Sequence, residues 1–399
     1  MEKLPSFITS EMTRDYLKPF LKKNGVSNVT LSKDELLDKL SELLMLQKIS
    51  KKQYWDFVAR TFQYGNNRII LTSLIDIPST SPMLEIDSLR RILENSDLPN
   101  YEFNEIATLD LESRSFRPQI IYQEITTEGE KVLKIEQCYF STTTQTKRID
   151  GEQVSSLMRI FNWITIDLVL KRISIHTRNN GFNPLDESRS LRGIHTSIMG
   201  QLSETFPFSV NEAIHEKKTL YNIYKEMTDT AEKPFRDEVN NQSVRFREFY
   251  DEMCNTLKYD KEKDNIMLED RIIRLFERGL IVQNFNLYAD YFEGKLGIIQ
   301  RIVFCDGTGA NVSAKVQDNN ENISNYEIYF DTRDTLDKKK SLDKLWAKWY
   351  VKLDNSSHKI DYDVKFMIYD NFYVTHFIGQ FLSEEVAEFV FSKFRDFEF

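Results

Sequence analysis

The apolar residues change their period three times along this chain, and that switching excludes any all-helical or all-strand fold. Up to about residue 98 they recur at helical spacing. From about 116 to 177 they alternate or form β-branched runs, from 186 to 283 helical spacing returns, and from 294 strands resume. Blocks of helix and strand sorted in this way give an α+β fold: a small N-terminal helical module followed by a mixed strand and helix body. With 399 residues, 28 Phe and 18 Tyr, the chain can fill more than one core, and a disordered chain is excluded. The run Asp76-Ile77-Pro78-Ser79-Thr80-Ser81-Pro82 marks the first boundary. The segments are then 1–78 (helical module), 83–185 (α+β with a hairpin), 186–290 (helical) and 291–399 (α+β).

The signals within the segments are local. A helix over 9–24, capped by Thr9 or Ser10, ends at Gly25, and Pro19 moves its start towards Arg14. Ser32 followed by Glu35 has capping-box spacing, and Leu36, Leu37, Leu40, Leu43 and Leu44 form the stripe behind it. A third helix begins near Ser50 and buries Tyr54, Trp55, Val58 and Phe62. Residues 120–125 and 132–140 read as a hairpin across Thr127-Glu128-Gly129-Glu130. The pattern predicts helix over 151–163 and 341–351, one extended segment over 164–177, a strand over 326–330, and a hairpin across Asp370-Asn371.

No apolar run reaches the ~18–20 residues of a bilayer span. The start, Met1-Glu2-Lys3-Leu4-Pro5, lacks the layout of a secretory signal. Cys138, Cys254 and Cys305 are distant and odd in number, which fits reduced thiols in a cytoplasmic protein. The net charge is −9, yet residues 1–75 hold 12 Lys/Arg against 8 Asp/Glu, and the rest holds 41 against 54. A basic module on an acidic body is compatible with localised nucleic-acid binding.

The stretch Tyr16-Leu17-Lys18-Pro19-Phe20-Leu21-Lys22-Lys23-Asn24-Gly25-Val26, followed by Ser32-Lys33-Asp34-Glu35-Leu36-Leu37-Asp38-Lys39-Leu40, resembles the SAP-type helix-extension-helix DNA-binding module. The resemblance covers about 35 residues. It departs from the family at Leu31, where Gly is common, and in the extra helix carrying Tyr54 and Trp55. It implies two short helices and sequence-independent contacts to the DNA backbone. Lys18, Lys22, Lys23, Lys33, Lys39, Lys51 and Lys52 are the candidate phosphate contacts, together with the backbone N–H groups at the Ser32 helix start. A helical hairpin of this shape also suits a protein-interaction adaptor.

Other constellations are weaker. Asp363-x-Lys365, with Asp354 or Asp343 as a second carboxylate, is a fragment of a metal-dependent nuclease site. Asp306-Gly307-Thr308-Gly309 lacks the Gly-Lys-Ser/Thr ending of a phosphate loop and reads as a turn, as does Asn179-Asn180-Gly181. His176, His195, His215 and His376 have no i, i+4 partner, which argues against a helix-borne zinc site, and His376, in a strand of mostly apolar residues, reads as an interior histidine rather than a ligand. Cys254 and Cys305 read as inert buried thiols. No catalytic residue, cofactor or metal is expected.

Overall fold

The structure, a computed structural model, describes residues 4–27, 30–106, 118–149, 152–178, 190–264, 266–283, 296–305, 309–318, 322–323, 326–352 and 359–398. It is α+β. Two compact units are formed, Met1–Ile214 with Lys365–Phe389, and His215–Val364 with Val390–Phe399.

The first unit opens with helices α1 (Ser6–Glu11), α2 (Arg14–Lys23), α3 (Lys33–Met45) and α4 (Lys51–Arg60). The single helix expected over 9–24 is two helices, because Thr13 caps α2 by accepting the Tyr16 N–H. Gly25 ends α2 at φ +85°, with Val26 N–H bonded to the Leu21 carbonyl and Gly25 N–H to that of Lys22. This two-bond closure needs a residue that tolerates the left-handed region. Ser32 and Ser50 each make a complete capping box, with Glu35 and Gln53.

The strands of this unit include β1 (Gly65–Asn66), β2 (Arg68–Asp76), β3 (Phe103–Asn104), β4 (Gln119–Glu128), β5 (Lys131–Ile149), β6 (Glu152–Asp167), β7 (Arg172–Arg178) and β8 (Ser209–Val210), and later in the chain Tyr373–Phe377, paired with β2, and Phe381–Leu382, paired with β1. The pairing order is β2-β7-β6-β5-β4-β3, antiparallel throughout. The hairpin across Gly129 forms as read, with Glu128 opposite Lys131.

The inner part of this sheet is covered on both faces, whereas Val154 to Leu157 of β6 are exposed. One face, with Ile69, Leu71, Ile135, Ile164, Ile166 and Ile175, packs on α5 (Ile86–Asn95) and α6 (Leu191–Thr205). The other, with Ile121, Cys138, Phe140 and Trp163, packs on Leu17, Leu36, Leu40, Val58 and Phe62 of the N-terminal helices and the turn after them. Cys138 and Phe140 alternate with Tyr139 on β5, and Trp163 neighbours Ile164 on β6, so each strand feeds both cores. The helices set apart as a module over 1–78 thus share their core with the sheet.

The second unit holds most of α7 (Ile214–Asn240), α8 (Ser243–Leu257), α9 (Leu268–Gln283), the helix Glu327–Lys339, and strands β9 (Gly297–Cys305), β10 (Asn311–Lys315) and β11 (Lys344–Lys352). β10 and β11 flank β9, both antiparallel. Strand β12 (Lys359–Ile368) contributes residues to each unit. In the first unit, the Tyr369 N–H bonds to the Phe372 carbonyl and closes the hairpin read across Asp370-Asn371.

Four sequence expectations are corrected. Residues 152–163 of the segment expected as helix belong to strand β6, held in unbroken register against β5 from Lys134↔Asp167 to Ile149↔Glu152. Residues 341–351 are mostly strand β11, because Leu345, Ala347, Trp349 and Val351 are buried at a period of two. Residues 326–330 enter the helix Glu327–Lys339, which buries Tyr329, Thr332, Arg333 and Leu336 at helical spacing. The segment 164–177 is interrupted between Asp167 and Arg172, with Lys171 at φ +50°. The turns at 179–181 and 306–308 lie outside the described residues.

Gly297 faces Trp349 across the β9–β11 pair, and a Cβ there would sit 2.2 Å from the Lys348 carbonyl oxygen. The backbone must move to admit it, at a cost of about 1–3 kcal/mol. Gly297→Ala is therefore expected to lower the thermal midpoint by several degrees; an unchanged midpoint in calorimetry contradicts this packing.

Candidate nucleic-acid interface

The lysines of the N-terminal helices divide by their partners. Lys18 lies 3.6 Å from Asp15, Lys39 is hydrogen-bonded to Glu42, and Lys52 to Glu102. Lys22, Lys23, Lys33 and Lys51 form no ion pair among the described residues, and all but the half-buried Lys33 are exposed. Lys22 and Lys23 end α2, and Lys33 begins α3, so these three flank the α2–α3 connection. Lys51 begins α4, beyond the 13-residue length of α3. At 1.5 Å per residue, α3 alone spans about 20 Å. Lys51 and Lys52 therefore follow α3, whereas Lys33 begins it.

The start of α3 is already complemented. The Ser32 N–H donates to Glu35 Oε2 at 2.8 Å, and the Glu35 N–H donates to Ser32 Oγ at 3.4 Å. The Ser32 hydroxyl and N–H hold the Glu35 carboxyl below its usual range. With Asp34 and Glu35 in the first turn, the positive end of the helix dipole faces its own carboxylates before any phosphate.

Two arginines counted in the basic balance serve the interior. Arg60, at the end of α4, contacts Glu124 at 2.8 Å and Glu136 at 3.0 Å, and lies over the Trp163 ring at 5.4 Å. Tyr122 Oη donates to Glu124 at 2.8 Å, and Trp163 Nε1 donates to Glu136 at 3.3 Å. Arg68 is buried and donates to the carbonyls of Thr61 at 2.8 Å and Tyr64 at 2.9 Å. Burial lowers its pKa to about 10. Neither guanidinium is available as a surface cation.

Beside Arg60, a cavity of about 300 Å³ opens between the start of α4 and strands β3 and β4. Trp55, expected to be buried with Tyr54, is half-buried and forms part of its wall. Asp56, Glu102 and Glu124 bring three carboxylates to it, and Lys51 and Lys52 two ammonium groups. Burial first, and the Glu124 charge second, push the Asp56 carboxyl above its usual range.

The remaining candidates are structural. Asp363 accepts from the Gln300 side-chain amide at 2.8 Å, Asp343 pairs with Lys217 at 2.7 Å, and Asp354 lies outside the described residues. Among the described residues no three His, Cys, Asp or Glu side chains group to hold a metal ion. Ser73 and His195, 122 residues apart, meet at 2.7 Å, a pair no sequence spacing reveals. It is buried, His195 stacks on Phe372 at 4.0 Å, and no carboxylate joins it among the described residues. Without the third group and an opening for substrate, it satisfies core polarity rather than assembling a nucleophile. Cys138 and Cys254 are buried; Cys305, expected to be buried, is partly exposed at the end of β9. In the second unit, Glu232 and Glu277 are buried with Arg333 at 3.0 and 3.4 Å, and Tyr329 Oη donates to Glu232 at 2.6 Å. Tertiary structure supplied these partners, and no local motif announced them.

No helix among the described residues is long and apolar enough to cross a membrane. No family model matches the chain, and no curated protein matches it. The interior histidines give a measurable consequence. Burial lowers His176 to about 3, and His195 and His376 to about 4. The unfolded chain takes up protons near ~6.5, where these folded groups do not. Folding stability is thus expected to fall as pH is lowered from about 7 to 5. His376→Asn, which keeps a donor for Asn67 Oδ1, should flatten that slope by about a third. Urea midpoints that do not change over this window contradict the assignment.

Proposed function

We propose that this protein associates with duplex DNA through sequence-independent backbone contacts made around the α2–α3 connection. One observation supports this reading: Lys22, Lys23 and Lys33 flank that connection without ion-pair partners among the described residues, while Lys18, Lys39 and Lys52 are committed to acidic neighbours. The two-helix outline of the SAP-type module is consistent with it. Lys51 is a peripheral contact at most, since α3 stands between it and the connection. In this reading the protein works in the cytoplasm, with Cys138, Cys254 and Cys305 as thiols.

A different observation favours a second reading, a protein-interaction adaptor. Helices α8 and α9 leave Val244, Phe249, Leu257, Leu275, Phe276 and Val282 exposed. A contiguous patch of such side chains marks an interaction surface.

Three phosphate contacts give a salt slope of about −2.7 in log K against log salt. Fluorescence anisotropy on a labelled duplex is expected to show binding at low salt with roughly that slope. Lys22→Glu, Lys23→Glu and Lys33→Glu together should abolish it, and Lys39→Glu should change it little. No binding at low salt overturns the DNA reading and leaves the adaptor.

A further inference from the structure

We propose that the cavity beside α4 binds an organic cation, specifically a primary ammonium on an alkyl stem. The case rests on which of its groups remain uncommitted. Glu124 is taken by Arg60 and Tyr122, and Glu102 by Lys52. Gln123 is taken by the Pro99 carbonyl at 2.8 Å, and its Oε1 accepts from Gln137 at 2.7 Å. Asn104 spans the Trp55 carbonyl and the Ile106 N–H. The Asp56 carboxylate alone among these acids makes no hydrogen bond or ion pair within the described residues, although it is half-buried.

Next to it stands the indole of Trp55, the ring that holds a cation best. Phe103 adds a further apolar surface. A ligand with a charged head and a short apolar body satisfies both demands: its ammonium completes Asp56, and its stem lies along the rings. An anion is disfavoured, because it would meet Asp56, Glu102 and Glu124 with only Lys51 uncommitted. Lys51 is exposed, and its ammonium can swing to solvent on its own flexible stem. Burial first and the Glu124 charge second raise the Asp56 pKa, against the opposing charges of Lys52 and Arg60. This site is distinct from the connection proposed to meet DNA.

Two sources carry this chemistry, a free polyamine and a lysine side chain on a peptide. Titration calorimetry on the full chain with n-pentylammonium, 1-pentanol and pentanoate tests the charge requirement. Saturable binding is expected for n-pentylammonium only. Asp56→Asn should weaken it at least about tenfold, the loss expected for one charged hydrogen bond. Because Asp56 makes no hydrogen bond, that variant should keep the wild-type thermal midpoint or exceed it, and Trp55→Leu should weaken binding through a different wall. Spermidine and a Gly-Lys-Gly peptide, compared in the same cell, separate the sources: the tighter of the two identifies the physiological class. Absence of saturable n-pentylammonium binding, equal binding by Asp56→Asn, or tighter binding of pentanoate overturns the proposal.

Discussion

Arg60, partly withdrawn from water, pairs with carboxylates on two strands of the sheet. It leaves the last turn of α4 and reaches Glu124 on β4 and Glu136 on β5, with the Trp163 ring beneath it. The contact fixes the α4 terminus over a defined register of the sheet, and the helices before it follow. Leu17, Leu36, Leu40 and Val58 then complete the same apolar cluster as Cys138, Phe140 and Trp163. Losing one partner would strand a charge at a mostly dry boundary, so the arrangement is poorly tolerant of substitution. The helices are part of the first unit's architecture rather than an appendage to it.

That placement decides what the surface has left to offer. The inward faces of α2, α3 and α4 are occupied by the shared core, and Arg68 is spent on the carbonyls of the α4–β1 connection. Among the described residues, Lys22 and Lys23 are exposed and Lys33 is half-buried, and none of the three forms an ion pair. The other end of α3 has a different character. There Lys51 and Lys52 face carboxylates across a cavity with a tryptophan wall, which suits a cation better than a phosphate. A single count of charge over the module merges these opposite environments.

Legibility followed the range of the interactions. Ser32 with Glu35, Ser50 with Gln53, and Gly25 after α2 act within a few residues, and each could be read from the chain. The hairpin at Gly129 was readable for the same reason. Strand β11 was not: Leu342, Leu345, Trp346 and Trp349 also satisfy helical spacing, and only pairing with β9 selects the extended form. Residues 152–163 were drawn into β6 by an equally non-local partner, β5. The cavity was hidden because its acids come from positions 56, 102 and 124, brought together by the sheet. Trp55 belongs to the apolar set of the third helix with Tyr54, Val58 and Phe62; its place at a cavity wall depends on where β3 and β4 pass.

The central claim is that the N-terminal helices and the sheet form one cooperative body. Native-state hydrogen exchange on the full chain measures this most directly. The amides of Leu40 and Val58 should open with the same free energy as those of Cys138 and Trp163, and with the same dependence on denaturant. If the helical amides exchange through a separate opening of clearly lower energy while the strand amides stay protected, the helices are an independent module and the account is contradicted.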